Sequence, residues 1–239
     1  MVDLITLSQD ITLESWRKVF DESVNELEDI QKRIDKEIKK GKTIIPESNN
    51  IFRAFVLTPL DKVKVVIIGQ DPYIDIVEGN VRATGLSFSN NPKITSLPPS
   101  LKNILNRVHN NYPNCDFEHS TGDLTAWALQ GVLMLNMSLT TNLGTSNAHK
   151  GIWKGVIDRV IKAIGEANPN CIYVLWGSEA IELETKMYLR GIIFKSTHPS
   201  GRSASKASRD AIAFNENKHF LQINRELKKM NMEQINWCL

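Results

Sequence analysis

Apolar positions along the chain recur with two different periods. Near the amino-terminal end, Trp16, Phe20, Val24, Leu27, Ile30, Ile34 and Ile38 are spaced by three or four residues, which draws one apolar stripe along a helix. Thr12 is the expected N-cap of that helix, and Gly41 its expected stop after a lysine-rich last turn. The stripe is core packing and predicts no chemistry. Further on, short runs of continuous apolar residues replace the stripe. They cover 63–68 (Val-Lys-Val-Val-Ile-Ile), 132–135 (Val-Leu-Met-Leu), 171–176 (Cys-Ile-Tyr-Val-Leu-Trp) and 191–194 (Gly-Ile-Ile-Phe). These runs are short, the first of them β-branched, and bounded by polar or turn residues, so each predicts a buried strand. Between and after them the helical period returns at 98–111, 151–167, 178–189 and 217–229, the first entered through prolines with Ser100 near its cap.

Strands that alternate with helices imply βαβ units and a mostly parallel sheet. Strands that are apolar along their whole length imply cover on both faces. The expected fold is therefore α/β, with a central four-stranded, mostly parallel sheet flanked by helices. No linker or internal repeat divides the chain. One domain over 1–239 is expected, with 1–44 as an N-terminal helical segment packed on it.

Composition narrows the class without naming it. The chain has 239 residues, 41% hydrophobic and 23% charged, which excludes disorder, collagen and disulfide-scaffold classes. The formal charge of +2 is too mild to identify a nucleic-acid binder. The charge is uneven, however: residues 1–40 hold seven Lys/Arg against ten Asp/Glu, whereas 195–229 hold eight against three. A polyanion meets the second region sooner. Cys115, Cys171 and Cys238 are odd in number and far apart, which fits a reducing, intracellular setting. No secretory signal is visible at the first residues, and no apolar run is long enough to span a bilayer.

The chemistry collects where the strands end. The first runs into Gly69-Gln-Asp-Pro-Tyr73, the second into Asn136, the third into Trp176-Gly-Ser178 and the fourth into Ser196-Thr-His-Pro-Ser200. In an open parallel sheet all these ends lie along one edge, where ligands bind. Singly, each segment reads as an ordinary turn or cap. Four loops supplying an acid, an amide, an imidazole and nearby aromatic rings to one edge are less easily explained by chance. The dinucleotide fingerprint, the P-loop, the zinc-deaminase signature and the nucleophile elbow are all missing, and nothing suggests a metal or another cofactor.

An amide presents a donor and an acceptor side by side, which matches the edge of a nucleobase. An aromatic ring offers a stacking surface. A carboxylate stabilises oxocarbenium-like charge at a sugar carbon and orients water. A histidine donates to a departing anionic base. Together these groups suit hydrolysis of an N-glycosidic bond.

Seven short pieces then resemble the family-1 uracil-DNA glycosylases: 69–73 (Gly-Gln-Asp-Pro-Tyr), 85–89 (Gly-Leu-Ser-Phe-Ser), 97–101 (Leu-Pro-Pro-Ser-Leu), 131–136 (Gly-Val-Leu-Met-Leu-Asn), 175–178 (Leu-Trp-Gly-Ser), 198–200 (His-Pro-Ser) and 235–237 (Ile-Asn-Trp). They occur in the family's order from about residue 45 to the end. The resemblance implies a three-layer α/β/α fold and removal of uracil from DNA by base flipping, leaving an abasic site. It implies that Asp71 orients the water and stabilises the sugar cation, and that His198 hydrogen-bonds uracil O2. Asn136 would read the N3 and O4 edge, Phe88 stack on the base, Tyr73 stand where thymine's methyl group would go, and Gln70 contact the base through its backbone. Pro98, Pro99 and Ser100, with Gly177 and Ser178, would grip the DNA backbone, and the loop carrying Ser200 and Arg202 would press into the minor groove.

Two positions depart from the family pattern. Ile74 stands where the family usually has His, and Gly201-Arg202 where it has Pro-Leu with Leu as the wedge. The stretches after Asp71 and after His198 are also longer than usual. The leading expectation is an active glycosylase on single- or double-stranded uracil-DNA, monomeric and without a cofactor. The alternative, motivated by residues 74 and 202, is a glycosylase-like DNA-binding or replication-accessory module with weak or no catalysis. The sequence gives no handle on a protein inhibitor or replication partner.

Overall fold

A computed structural model describes residues 3–117, 120–187 and 189–239. Its centre is a four-stranded sheet of β1 (Val65–Gly69), β2 (Val132–Asn136), β3 (Ile172–Trp176) and β4 (Ile192–Ser196). The order is β2-β1-β3-β4, and every neighbour pair is parallel. All residues of β1, β2 and β3 are buried, so both faces of those strands are covered, as their unbroken apolar runs require. The edge strand β4 is only half-buried over its first four residues.

The principal helices are α1 (Val24–Lys39), α2 (Pro99–Asn111), α3 (Lys154–Ala167) and α4 (His219–Lys229). Pro98 is the N-cap of α2 and Pro99 its first residue, where the missing N–H costs nothing; Ser100 makes no capping bond. One continuous core includes Trp16, Trp127, Trp153 and Trp237. The N-terminal segment belongs to it, with the Trp16 indole packed edge-on against Phe55 and donating to the Thr58 carbonyl at 3.0 Å.

Several expected elements change form. The single helix from Thr12 to Gly41 is three pieces: a 3₁₀ segment Ile11–Trp16, a helical turn Arg17–Asp21, and α1. Asp10, not Thr12, is the N-cap, because its carboxylate accepts from the Thr12 amide. The break before α1 coincides with Ser23, whose hydroxyl bonds back to the Val19 carbonyl. Gly41 does end α1, at φ +79°. The helix expected at 178–189 is two short turns, Ser178–Ile181 and Leu183–Lys186. Residue 188 of that span, like Met1 and Val2, lies outside the described residues.

The pattern did not predict the two-residue pair Ile44–Ile45 with Thr141–Asn142, or the small hairpin Ile76–Val77 with Asn80–Val81. The cysteines, too far apart in sequence to suggest a bridge, are partly paired. Cys115 and Cys238 form a disulfide across 123 residues, and Cys171 is the buried free thiol. Spacing along the chain gave no sign of the pair, because α2 and the carboxyl-terminal tail meet only through the folded core. Among the described residues, no helix is long and apolar enough to cross a membrane.

Candidate active site

The register of the sheet assembles the site. Gly69, the last residue of β1, pairs with Asn136, the last of β2, so the two loops leave the sheet at one level. A side chain at 69 has no room: a Cβ there would lie 2.4 Å from Asn136 Oδ1 and 2.7 Å from Ser87 Cβ. Glycine lets the Asn136 side chain fold over the strand end. Asn136 is 5% exposed, and its amide has no protein partner among the described residues. A buried amide without a partner is costly unless a ligand supplies one.

A cavity of about 190 Å³ opens beside it, lined by Gln70, Asp71, Tyr73, Phe88, Ser100, Asn136 and His198. Ile74, Ala83, Thr84, Leu86 and Ser146 complete the wall. Its size is below the roughly 300–1,000 Å³ of drug-sized pockets and suits one small ring.

Asp71 is held on one side only. Its Oδ2 accepts from the Asn147 amide at 2.6 Å and the Ser146 hydroxyl at 3.1 Å. Among the described residues Oδ1 has no protein donor, which leaves it for a water or a developing cation. Tyr73 donates its hydroxyl to the Phe88 carbonyl at 3.2 Å, and burial pushes its phenol far above the usual range, so it stays protonated. Phe88 sits at φ +61°, a conformation costing about 1–3 kcal/mol for a non-glycine residue. That carbonyl bond and edge-on packing against the Trp176 ring, 5.5 Å away, hold it there.

His198 reaches the cavity from the loop after β4. Gly177 makes room for it, since a Cβ at 177 would lie 3.0 Å from His198 Cβ. The Ser200 amide donates to His198 Nδ1 at 3.1 Å, and the Ser200 hydroxyl lies 2.7 Å from the same nitrogen. An amide only donates, so Nδ1 is bare and the ring proton is on Nε2. Burial lowers the imidazole pKa, which keeps the ring neutral.

The other expected DNA contacts lie outside the cavity wall. Pro98 is buried, Pro99 exposed, and both sit at the start of α2 beside Ser100. Gly177 and Ser200 support His198 directly. Ser178 and Arg202 are exposed, Arg202 on the 3₁₀ turn Gly201–Ser205. Sequence reasoning missed Ser146 and Asn147, the donors to Asp71. They lie in an irregular loop, where no periodicity marks a contact across 75 or 76 residues. Among the described residues no group of three or more His, Cys, Asp or Glu could hold a metal ion.

Comparison with known proteins agrees with this geometry. Residues 55–228 match the model of the uracil DNA glycosylase superfamily. A uracil-DNA glycosylase of Campylobacter hominis is 41% identical over 208 residues, 83% of this chain and 80% of that one. A uracil-DNA glycosylase of Bacillus pumilus is 39% identical over 206 residues, 85% of each. The crystal structure of mimivirus uracil-DNA glycosylase superposes with a TM-score of 0.89 at 27% identity, covering 100% of this chain and 90% of that one. The Y322L variant of the mimivirus enzyme has been solved in complex with UGI. With most of its length matched in sequence and all of it in fold, the chain belongs to the uracil DNA glycosylase superfamily.

Proposed function

We propose that this protein hydrolyses the N-glycosidic bond of deoxyuridine in DNA and leaves an abasic site, as a metal-independent DNA-repair glycosylase. The observation that carries the reading is one small cavity into which an acid, an unpartnered amide and a neutral imidazole converge from the ends of three strands. A base inside a duplex cannot reach such a cavity, so the nucleotide must swing out, at a cost of a few kcal/mol. Gripping of the backbone by Pro98, Pro99, Ser100, Gly177 and Ser178 offsets that cost, and Arg202 fills the emptied stack.

Each role follows from the local chemistry. Phe88 gives the flipped ring a stacking face. Asn136 pairs with the N3–H and O4 edge; cytosine reverses that pattern and leaves buried polar atoms unpaired. Tyr73 blocks a methyl group sterically, because an apolar pocket alone discriminates one methyl by only about 1–3 kcal/mol. Gln70 contacts the base through its backbone. As the bond to the sugar lengthens, negative charge grows on uracil O2 and positive charge on the sugar. His198 Nε2–H donates to the first, and the Asp71 carboxylate faces the second and orients the water. A neutral imidazole suits a donor that has no proton to give up.

The whole chain acts as one domain and a monomer, in the intracellular compartment that holds DNA. The test is release of uracil from single- and double-stranded oligonucleotides, read as alkali-labile sites. The parent should cut both, and Asp71→Asn and His198→Ala should each lose about 10²–10⁴ in rate. No cleavage by the parent refutes the activity; unchanged rates in the variants refute the roles.

A further inference from the structure

The N-terminal helix, which the sequence marks as packing alone, reaches the catalytic loop through one carboxylate. Glu37 lies in the last turns of α1. Its Oε2 accepts from His149 Nε2 at 2.9 Å and from Asn142 Nδ2 at 2.7 Å. Both partners belong to the loop that leaves β2, and both are buried, His149 completely. The other ring nitrogen of His149 lies 2.8 Å from Thr140 Oγ1, which also accepts the Trp153 indole N–H. The His149 carbonyl accepts from the Ser138 hydroxyl at 3.1 Å. Burial works to raise the Glu37 pKa, but the bonds from His149, Asn142 and Arg33 hold it below its usual value, so the carboxylate is ionised.

This loop carries much of the proposed chemistry. It begins at Asn136, and its Ser146 and Asn147 are the two donors to Asp71. The span between them is gripped at 142 and at 149 by the same carboxylate. Asn147 is two residues from His149 and stands at φ +59°, a left-handed conformation that asparagine tolerates in turns. We propose that Glu37 is a positioning residue for base excision: through His149 and Asn142 it fixes the 142–149 arc so that Asn147 N–H and Ser146 O–H hold the Asp71 carboxylate in its working orientation. The proposal rests on the reading of Asp71 given above. No residue of α1 touches the cavity, so the effect passes entirely through the loop.

The experiment is a double-mutant cycle on uracil release, with steady-state kcat and KM for Glu37→Ala in the parent and in Asp71→Asn. Removing an outer support of a reactive group costs about 10–100-fold in comparable sites. Glu37→Ala should therefore lower kcat by that factor with KM within about twofold. In Asp71→Asn, where there is no working carboxylate left to orient, the cost should shrink by at least about threefold. A cost in the parent below about threefold, or one that persists undiminished in Asp71→Asn, overturns the proposal. Ile34→Ala, which removes buried packing one turn earlier on α1, should lower Tm and leave kcat unchanged; a matching fall in kcat would mean that destabilisation alone explains Glu37. Should Glu37→Ala fail to fold, Glu37→Gln, which keeps the volume and one acceptor, takes its place under the same criteria. An Asp71→Asn rate equal to the parent's would instead refute the role of Asp71, a result separate from the cycle.

Discussion

Adding a single methyl group at Gly69 should disable base recognition while leaving the fold in place. Gly69 has ordinary strand geometry, so alanine meets no backbone penalty there. The difficulty lies in front of the Cβ, which would sit 2.4 Å from Asn136 Oδ1 and 2.7 Å from Ser87 Cβ. Real Cβ contacts essentially never fall below 3.0 Å, so the amide must retreat by about 0.6 Å or rotate. Ser87 must give by about 0.3 Å as well, against the bonds its amide and hydroxyl make to the carbonyls of Met134 and Ile67, and that shift is part of the overpacking cost. A displaced amide leaves one or two hydrogen-bonding groups of the uracil edge unpaired, at about 1–3 kcal/mol each. With about 1.4 kcal/mol per factor of ten, that total of about 1–6 kcal/mol means Gly69→Ala should lose between about fivefold and about 10⁴-fold in kcat/KM. Overpacking costs stability about 1–3 kcal/mol, which leaves a protein of ordinary stability folded at 25 °C. The assay is kcat/KM for uracil release from a single-stranded oligonucleotide, with the folded fraction read by near-ultraviolet circular dichroism. In an Asn136→Ala background the same methyl should cost much less. Parental kcat/KM in Gly69→Ala, or a loss no larger than the loss of folded protein, refutes the account.

Three further outcomes follow from the same structure. Protonating His198 would put a proton on Nδ1 and break the bond from the Ser200 amide that sets the ring; because burial lowers its pKa, this comes only below the usual imidazole midpoint of about 6.5, and kcat should fall there, while an acid limb retained unchanged in His198→Ala would refute the assignment. His219 is buried and accepts from the Trp176 indole, with its pKa pushed down to about 4. Its folded-state pKa lies below the unfolded one, so its contribution is complete above about pH 6.5 and is lost as pH falls toward 4. The loss is on the order of 3 kcal/mol, visible in urea midpoints, and His219→Gln should flatten that slope. Arg202→Ala should lower kcat/KM by about tenfold on duplex substrate and less on single strands, where no stack needs filling; equal losses on both refute the wedge role.

The sheet and the slot were legible for one physical reason. Strands buried on both faces read as unbroken apolar runs, and parallel topology sends their ends to one edge, so Asp71, Asn136 and His198 could be brought together before any coordinates. What escaped detection lies where neither period operates. Ser146 and Asn147 reach Asp71 from an irregular loop, and Glu37 projects from a helix whose stripe reports only its buried side. Cys115 and Cys238 meet through tertiary packing of the tail, with Trp237 set edge-on against Trp127 and Phe220. A three-to-four apolar spacing continues across Ser23 and so reads as one long helix, whereas the chain breaks there, where the Ser23 hydroxyl bonds to the Val19 carbonyl.

Ile74 and Arg202, the two departures from the family pattern, motivate the reading of a module that binds DNA without cutting. The contacts around the reactive groups favour catalysis instead. Asp71 is set by Ser146 and Asn147, His198 by Ser200 and the space at Gly177, and Asn136 by the space at Gly69. None of these supports uses the side chain of residue 74 or 202. Ile74 lines the cavity, but its backbone carbonyl accepts the Gly144 amide at 2.7 Å, a bond that any residue at 74 would make. Arg202 stands on an exposed turn beyond the cavity wall. A change at either position is therefore expected to act on how DNA is approached and held, read as a shift in KM and in the preference for strand form. The supports of Asp71, Asn136 and His198 stay in place, so the chemical step proposed above is expected to survive a change at either residue.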